Sequence, residues 1–115
     1  MSDERGVPAP TPAIEVVNVP GRYRFEARIG GEVAGISQYL RRGSRVIFTH
    51  TEVSPEYEGR GVGSAIAKGA LDAVREAGGT VEARCPFIAA YLKRHPEYAD
   101  LIWDPAADAA TGGPS

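Results

Sequence analysis

Three glycines, Gly59, Gly61 and Gly63, alternate with Arg60 and Val62 shortly after an apolar run that ends at Val53. Glycine has no Cβ, so the backbone can turn sharply there and come close to a ligand. The stretch that follows has the periodicity of an amphipathic helix. The first amides of a helix lack intrahelical acceptors and carry the positive end of its dipole, so a strand, a glycine turn and a helix in this order form a phosphate seat. The NTPase-type loop is excluded, because it needs a lysine after its last glycine and Ser64 stands there. The dinucleotide spacing fails too: its last glycine falls on Ile66 counted from Gly61, and on Ser64 counted from Gly59. Two further side chains could carry group-transfer chemistry. His50 suits a general base, since an imidazole ordinarily titrates near about 6.5. Cys85, the only cysteine, is a candidate nucleophile, or else a small buried hydrophobe.

The segment Arg60-Gly61-Val62-Gly63-Ser64-Ala65 fits the pattern Arg/Gln-x-x-Gly-x-Gly/Ala at every fixed position, and it resembles the acetyl-CoA loop of the GNAT superfamily. Other features of the short, minimal GNAT-type N-acetyltransferases occur in order: His50-Thr51-Glu52-Val53, Glu58-Gly59 leading into the loop, Cys85-Pro86-Phe87, and Tyr91 followed by His95-Pro96-Glu97-Tyr98. The resemblance spans residues 14–103. It implies acetyl-CoA, or CoA, as the cofactor and an amine, on a small molecule or a peptide, as the acceptor. It also implies that the fourth and fifth strands splay apart to admit the pantetheine arm. Val53 would then pair its backbone with the pantetheine amides, and Gly59, Arg60, Gly61, Val62, Gly63, Ser64 and Ala65 would hold the pyrophosphate. Tyr91 would stand near the cofactor sulfur and protonate the leaving thiolate, and Lys93 and Arg94 would reach toward CoA phosphates. No metal is implied.

Acetyl transfer to an amine requires that the amine lose a proton, that the oxyanion be stabilised and that the thiolate leave. Strict alternation along the fourth strand puts Phe48, His50 and Glu52 on one face, and Ile47, Thr49, Thr51 and Val53 on the other. His50 is the expected base, with Glu52 as the alternative or as the group that orients a water. Cys85 closes the fifth strand, where many superfamily members have asparagine. With His50 beside it, Cys85 could accept the acetyl group transiently, or it could only shape the pocket.

The elements that must position these residues are legible in the periodicity. Residues 14–19 read as a strand ended by Pro20-Gly21. Tyr23, Phe25, Ala27 and Ile29 then alternate with Arg22, Arg24, Glu26 and Arg28, the pattern of a half-buried strand. Gly30-Gly31 predicts a hairpin, residues 32–40 the returning strand, residues 41–44 a turn, and residues 45–53 the fourth strand. Val62, Ile66, Ala70, Leu71 and Val74 form the apolar stripe of a helix stopped by Gly78-Gly79. Residues 80–85 predict a fifth strand, parallel to the fourth because a helix joins them. A helix from about residue 87 to 94 follows, then a short helical turn, with Trp103 packing this end onto the sheet. The expected fold is therefore α/β (α+β): a GNAT-like mixed sheet, an antiparallel meander followed by a β-α-β acetyl-CoA unit and a C-terminal helix. The helical segment that usual GNAT members place between their first two strands is missing.

At 115 residues the chain is one domain. Residues 1–13 and 105–115, rich in Pro, Ala and Gly, read as disordered tails around a domain at 14–104. A net charge of −2 gives no footing for a nucleic-acid surface. No stretch predicts a membrane span, no Cys/His spacing predicts a metal site, and a cytoplasmic location is the default. The sequence leaves the acceptor and the oligomeric state open. Two rivals to the enzyme are a CoA-binding module that senses the cofactor without turnover, and an interaction protein using a Tyr23/Phe25 sheet face.

Overall fold

The computed structural model describes residues 13–106; the tails expected at 1–13 and 105–115 lie outside it except for Ala13, Pro105 and Ala106. The last two are helical, and the Ala106 amide donates to Asp104 Oδ1 at 3.0 Å.

Five strands form one mixed α+β sheet in sequence order: β1 (Glu15–Val19), β2 (Arg24–Ile29), β3 (Glu32–Arg42), β4 (Arg45–Val53) and β5 (Thr80–Ala83). The first four make an antiparallel meander, and β5 runs parallel to β4 across helix α1 (Val62–Glu76). Helix α2 (Pro86–Arg94) and a short 3₁₀ segment, Pro96–Leu101, complete the order. Between β1 and β2 there is only a single 3₁₀ turn, Pro20–Arg22, as the brevity of that segment predicts. The hairpin between β2 and β3 turns on Gly30 and Gly31, both at positive φ.

The apolar stripe of α1 is buried as expected, with Ala67 added to it. It covers Phe25, Ala27, Phe48 and Val81 in one core cluster that α2 enters through Ile88, Tyr91 and Leu92. Phe25, Tyr39 and Phe48 pack ring on ring at 5.4–6.3 Å between centroids. Because Phe25 is buried, the Tyr23/Phe25 interaction face does not exist; Tyr23 stands alone in a turn at φ 53°. The C-terminal segment is fastened to α1 by polar contacts. Tyr98 donates to Asp72 Oδ1 at 2.7 Å, and Arg75 forks onto Asp100 at 2.8 and 3.0 Å. Trp103 donates its amide to the Val81 carbonyl and lies under the Arg45 guanidinium, 3.7 Å from the ring centre.

The sheet face opposite α1 is open over Gln38, Leu40, His50 and Glu52. One buried charge lies on it. Glu26 is 4% exposed, and both of its oxygens take paired bonds from Arg24 and Arg28. Those bonds, Arg28's first, hold its carboxyl below the usual range although burial opposes them. A depressed carboxyl stabilises the fold above its unfolded pKa of about 4.3, and the contribution is lost as pH falls through the lower folded value. Glu26→Gln is therefore expected to lower Tm by roughly 5–10 °C at neutral pH, because the amide keeps one acceptor oxygen and turns a donor NH2 toward the other arginine. The gap to the unsubstituted protein should narrow below pH about 4. Thermal melts across pH test this, and a gap that stays constant into acid would contradict it.

Candidate active site

The end of β4 and the start of α1 build the glycine turn. After Val53 the chain makes a 3₁₀ turn, Pro55–Tyr57, and then reverses through Gly59 and Gly61, at φ 82° and 79°. Gly61 is the N-cap of α1; it offers no side chain to its amides, and the first turn holds no acidic residue. Ala65 makes the first intrahelical bond, donating to the Gly61 carbonyl at 2.9 Å. Among the described residues the amides of Val62 to Ser64 are therefore unengaged, and Ala65, expected among the phosphate-holding residues, cannot donate from its amide. A groove lined by Val53, Tyr57, Gly59, Gly61, Gly63 and Phe87 lies against these amides. The Arg60 guanidinium stands over the Tyr57 ring, 5.7 Å from its centre. Val62 belongs to the core, 1% exposed, so only its backbone can serve the loop.

Gly63 has a second reason to be glycine. A Cβ there would lie 2.8 Å from Cζ of Phe87. Phe87 thus closes one wall of the groove through contact with the loop itself, a role that reading it as the start of a helix did not reveal. The available signal was a glycine inside the first turn of a helix, where it weakens the helix unless a close neighbour requires it.

The pairing of β4 with β5 stops early. Arg45–Phe48 match Thr80–Ala83, and the Phe48 carbonyl then takes the amides of both Arg84 and Cys85 at 2.9 and 3.0 Å. Beyond it the edge of β4 facing β5 has no ladder partner among the described residues. Ser54 donates its amide toward β3, to the Ala34 carbonyl, so by alternation the N–H and C=O of Val53 face the gap.

The alternation expected along β4 does not hold. Gln38 pairs with His50 and Tyr39 with Phe48, so Thr49 is the extra residue of a β-bulge. The bulge reverses the faces beyond it. Phe48 shares the α1 face with Thr51 and Val53, whereas His50 and Glu52 join Ile47 on the open face. Cys85, 2% exposed, is the N-cap of α2 and points its thiol at the Thr51 hydroxyl, 3.3 Å away, which meets the Ser37 hydroxyl at 3.0 Å. His50 instead faces Glu52, Nε2 to Oε2 at 3.3 Å, with both side chains more than half exposed. The expected Cys85–His50 contact is therefore replaced by a Cys85–Thr51–Ser37 chain, since neighbouring strand residues point to opposite faces.

Tyr91 lies one helical turn beyond Phe87, its ring stacked on His95 at 3.9 Å between centroids. Burial pushes its phenol above the ordinary range, so it is protonated at neutral pH. Lys93 stands apart from the loop. Six residues of helix carry Lys93 about 9 Å along the axis from Phe87, and it lines a different groove with Glu82 and Trp103. Among the described residues no group of three or more His, Cys, Asp or Glu could hold a metal ion, and no helix is long and apolar enough to cross a membrane.

The model of a family described as GCN5-related N-acetyl-transferase matches residues 24–101. The chain is 34% identical over 95 residues to Protein NATD1 of Gallus gallus, covering 81% of this chain and 82% of that one. Against Protein NATD1 of Homo sapiens the identity is again 34% over 95 residues, with 81% and 80% covered. A GCN5-like putative N-acetyltransferase of Staphylococcus aureus, solved by NMR, superposes with a TM-score of 0.60 at 24% identity, over 77% of this chain and 87% of that one. This last likeness is one of fold.

Proposed function

The chain belongs to the GCN5-related N-acetyltransferase family, and from that premise we propose that it binds acetyl-CoA and transfers the acetyl group to an amine. The observation that carries this reading is the row of unengaged amides, Val62 to Ser64, at the mouth of the gap between β4 and β5. The residues present fit the cofactor: glycines where phosphate must approach, no carboxylate in the first turn of the helix, and an unpaired strand edge at Val53. The amides from Val62 to Ser64 would hold the pyrophosphate, Val53 would pair with the pantetheine amides, and Phe87 and Tyr57 would flank the arm. Bound acetyl-CoA supplies an acetyl thioester that an amine can attack at its carbonyl carbon.

The bulge at Thr49 divides the remaining work between the two faces. Thr51 and Cys85 close the α1 side of the gap and shape its wall. His50 and Glu52 stand on the open side, from which an acceptor amine can approach. His50 takes the proton from that amine, and Glu52, 3.3 Å from Nε2, stabilises the imidazolium that forms. Cys85 has no imidazole to ionise it, which supports direct transfer over an acetyl-cysteine route. Tyr91, protonated at neutral pH, is the available acid on α2 for the departing thiolate.

Native mass spectrometry of the purified protein, followed by an acetyl-transfer assay, tests the reading. Co-purified or added CoA should bind at one equivalent, and acetyl should appear on an amine. CoA binding with neither transfer nor hydrolysis would decide for a sensing module, and the absence of CoA binding would overturn both readings.

A further inference from the structure

We infer that the open sheet face carries an acceptor site for amines that bear an anionic group several bonds from the nitrogen, and that Arg24 and Arg28 hold the anion. The inference rests on the acyl-transfer reading and adds the class of substrate to it.

Glu26 is buried between the two arginines. Arg24 donates from Nε and Nη2 to Oε2 at 2.9 and 2.6 Å, and Arg28 from Nε and Nη2 to Oε1 at 3.0 and 2.8 Å. A carboxylate gripped by two forks fixes both guanidinium planes. It cancels only one of the two positive charges, so the group as a whole remains cationic. Among the described residues neither Nη1 has a partner, and the two side chains are 22% and 36% exposed. The result is a pair of pre-oriented donors facing solvent.

The sheet register aligns them with the proposed base. Arg24 pairs with Gln38, which pairs with His50; in the next row Glu26 pairs with Ile36, which pairs with Glu52. Two strand spacings put the Arg24 and His50 backbones about 10 Å apart. Arg24 and Glu52 also line one groove, with Ile36, Val33 and Pro55 as its apolar surface. That groove offers a guanidinium to an anion, a carboxylate to an ammonium group, and hydrocarbon between them. Its chemistry fits a linear amino acid or short peptide with a distant carboxylate. In an α-amino acid the two groups are too close together to use both ends.

The probes are ε-aminocaproate and its neutral amide, each titrated into the CoA-loaded protein while the Nε–H signals of Arg24 and Arg28 are followed by NMR. The acid should bind about tenfold more tightly than the amide, the difference a charge-assisted hydrogen bond supplies. It should also move both signals, and its advantage should vanish in Arg24→Met. If that variant does not fold, the comparison of acid with amide on the unsubstituted protein still decides. Equal binding of the two probes, no binding of either, or an acid preference that survives in folded Arg24→Met overturns the site. Transfer is scored separately. Acetylation of both probes with equal kcat/KM would leave the acyltransferase standing and remove the site, whereas acid-selective binding without acetylation would do the reverse.

Discussion

Gly61→Asp is expected to weaken CoA binding by roughly tenfold to a hundredfold while leaving the protein folded. The substitution puts a carboxylate at the N-cap of α1, beside the amides of Val62, Gly63 and Ser64. A carboxylate there can accept from those amides itself, which is the ordinary role of an N-cap aspartate. It would therefore occupy the seat and repel a pyrophosphate together. Space is not the obstacle, since nothing lies within 4 Å of a Cβ at this position. The φ of 79° costs any side chain some strain, though aspartate tolerates the left-handed region better than most. Gly61→Ala, which adds the strain without the charge, should accordingly change affinity only a few-fold. Gly63 behaves differently: even alanine there meets Phe87 at 2.8 Å, so the ring must shift and the groove wall with it. A decisive control is pantetheine, which lacks the phosphates. Calorimetry should show that Gly61→Asp loses CoA and keeps pantetheine. Equal affinity for CoA in a folded Gly61→Asp would remove the loop from the cofactor site.

The second large effect separates the two residues expected to share the chemistry. His50→Gln should lower kcat by about a hundredfold or more, the usual contribution of a positioned general base. Cys85→Ala should retain the rate within about tenfold, because a thiol bonded to Thr51, on the opposite sheet face from His50, shapes the wall without taking the acetyl group. Acetyl-CoA alone should then leave no acetyl mass on the protein by rapid-quench mass spectrometry. An acetylated Cys85 that forms and decays at the turnover rate would establish the covalent route. A full rate in His50→Gln would pass the proton to Glu52 or to solvent.

The strands and helices were legible because their apolar residues repeat with periods of two and of about four, and the observed bounds of β4 and the stripe of α1 follow the pattern closely. The glycine turn was legible because positive φ at Gly59 and Gly61 and the close approach of Phe87 to Gly63 constrain residue type directly. The bulge at Thr49 was not. A β-branched residue in an unbroken strand carries no glycine or proline to mark an insertion, and one extra residue moves every following side chain to the other face. That shift exchanged His50 for Thr51 as the neighbour of Cys85. The burial of Glu26 was equally hidden. The sequence Arg24-x-Glu26-x-Arg28 reads as a solvated charged face, and only three side chains folded onto one another turn it into a buried carboxylate between two forks. Lys93 and Arg94 were candidates because they lie just beyond Tyr91, where a solvated basic face is the alternative, and the direction of α2 carries Lys93 to another groove.

Titrating CoA while following the backbone amides by NMR tests whether the N-terminus of α1 seats the pyrophosphate. The amides of Val62, Gly63 and Ser64 should show the largest shifts, with those of Val53 and Phe87 next and those around Arg45 and Trp103 unmoved. Saturable CoA binding that leaves Val62 to Ser64 unperturbed, or no binding at all, would contradict the account.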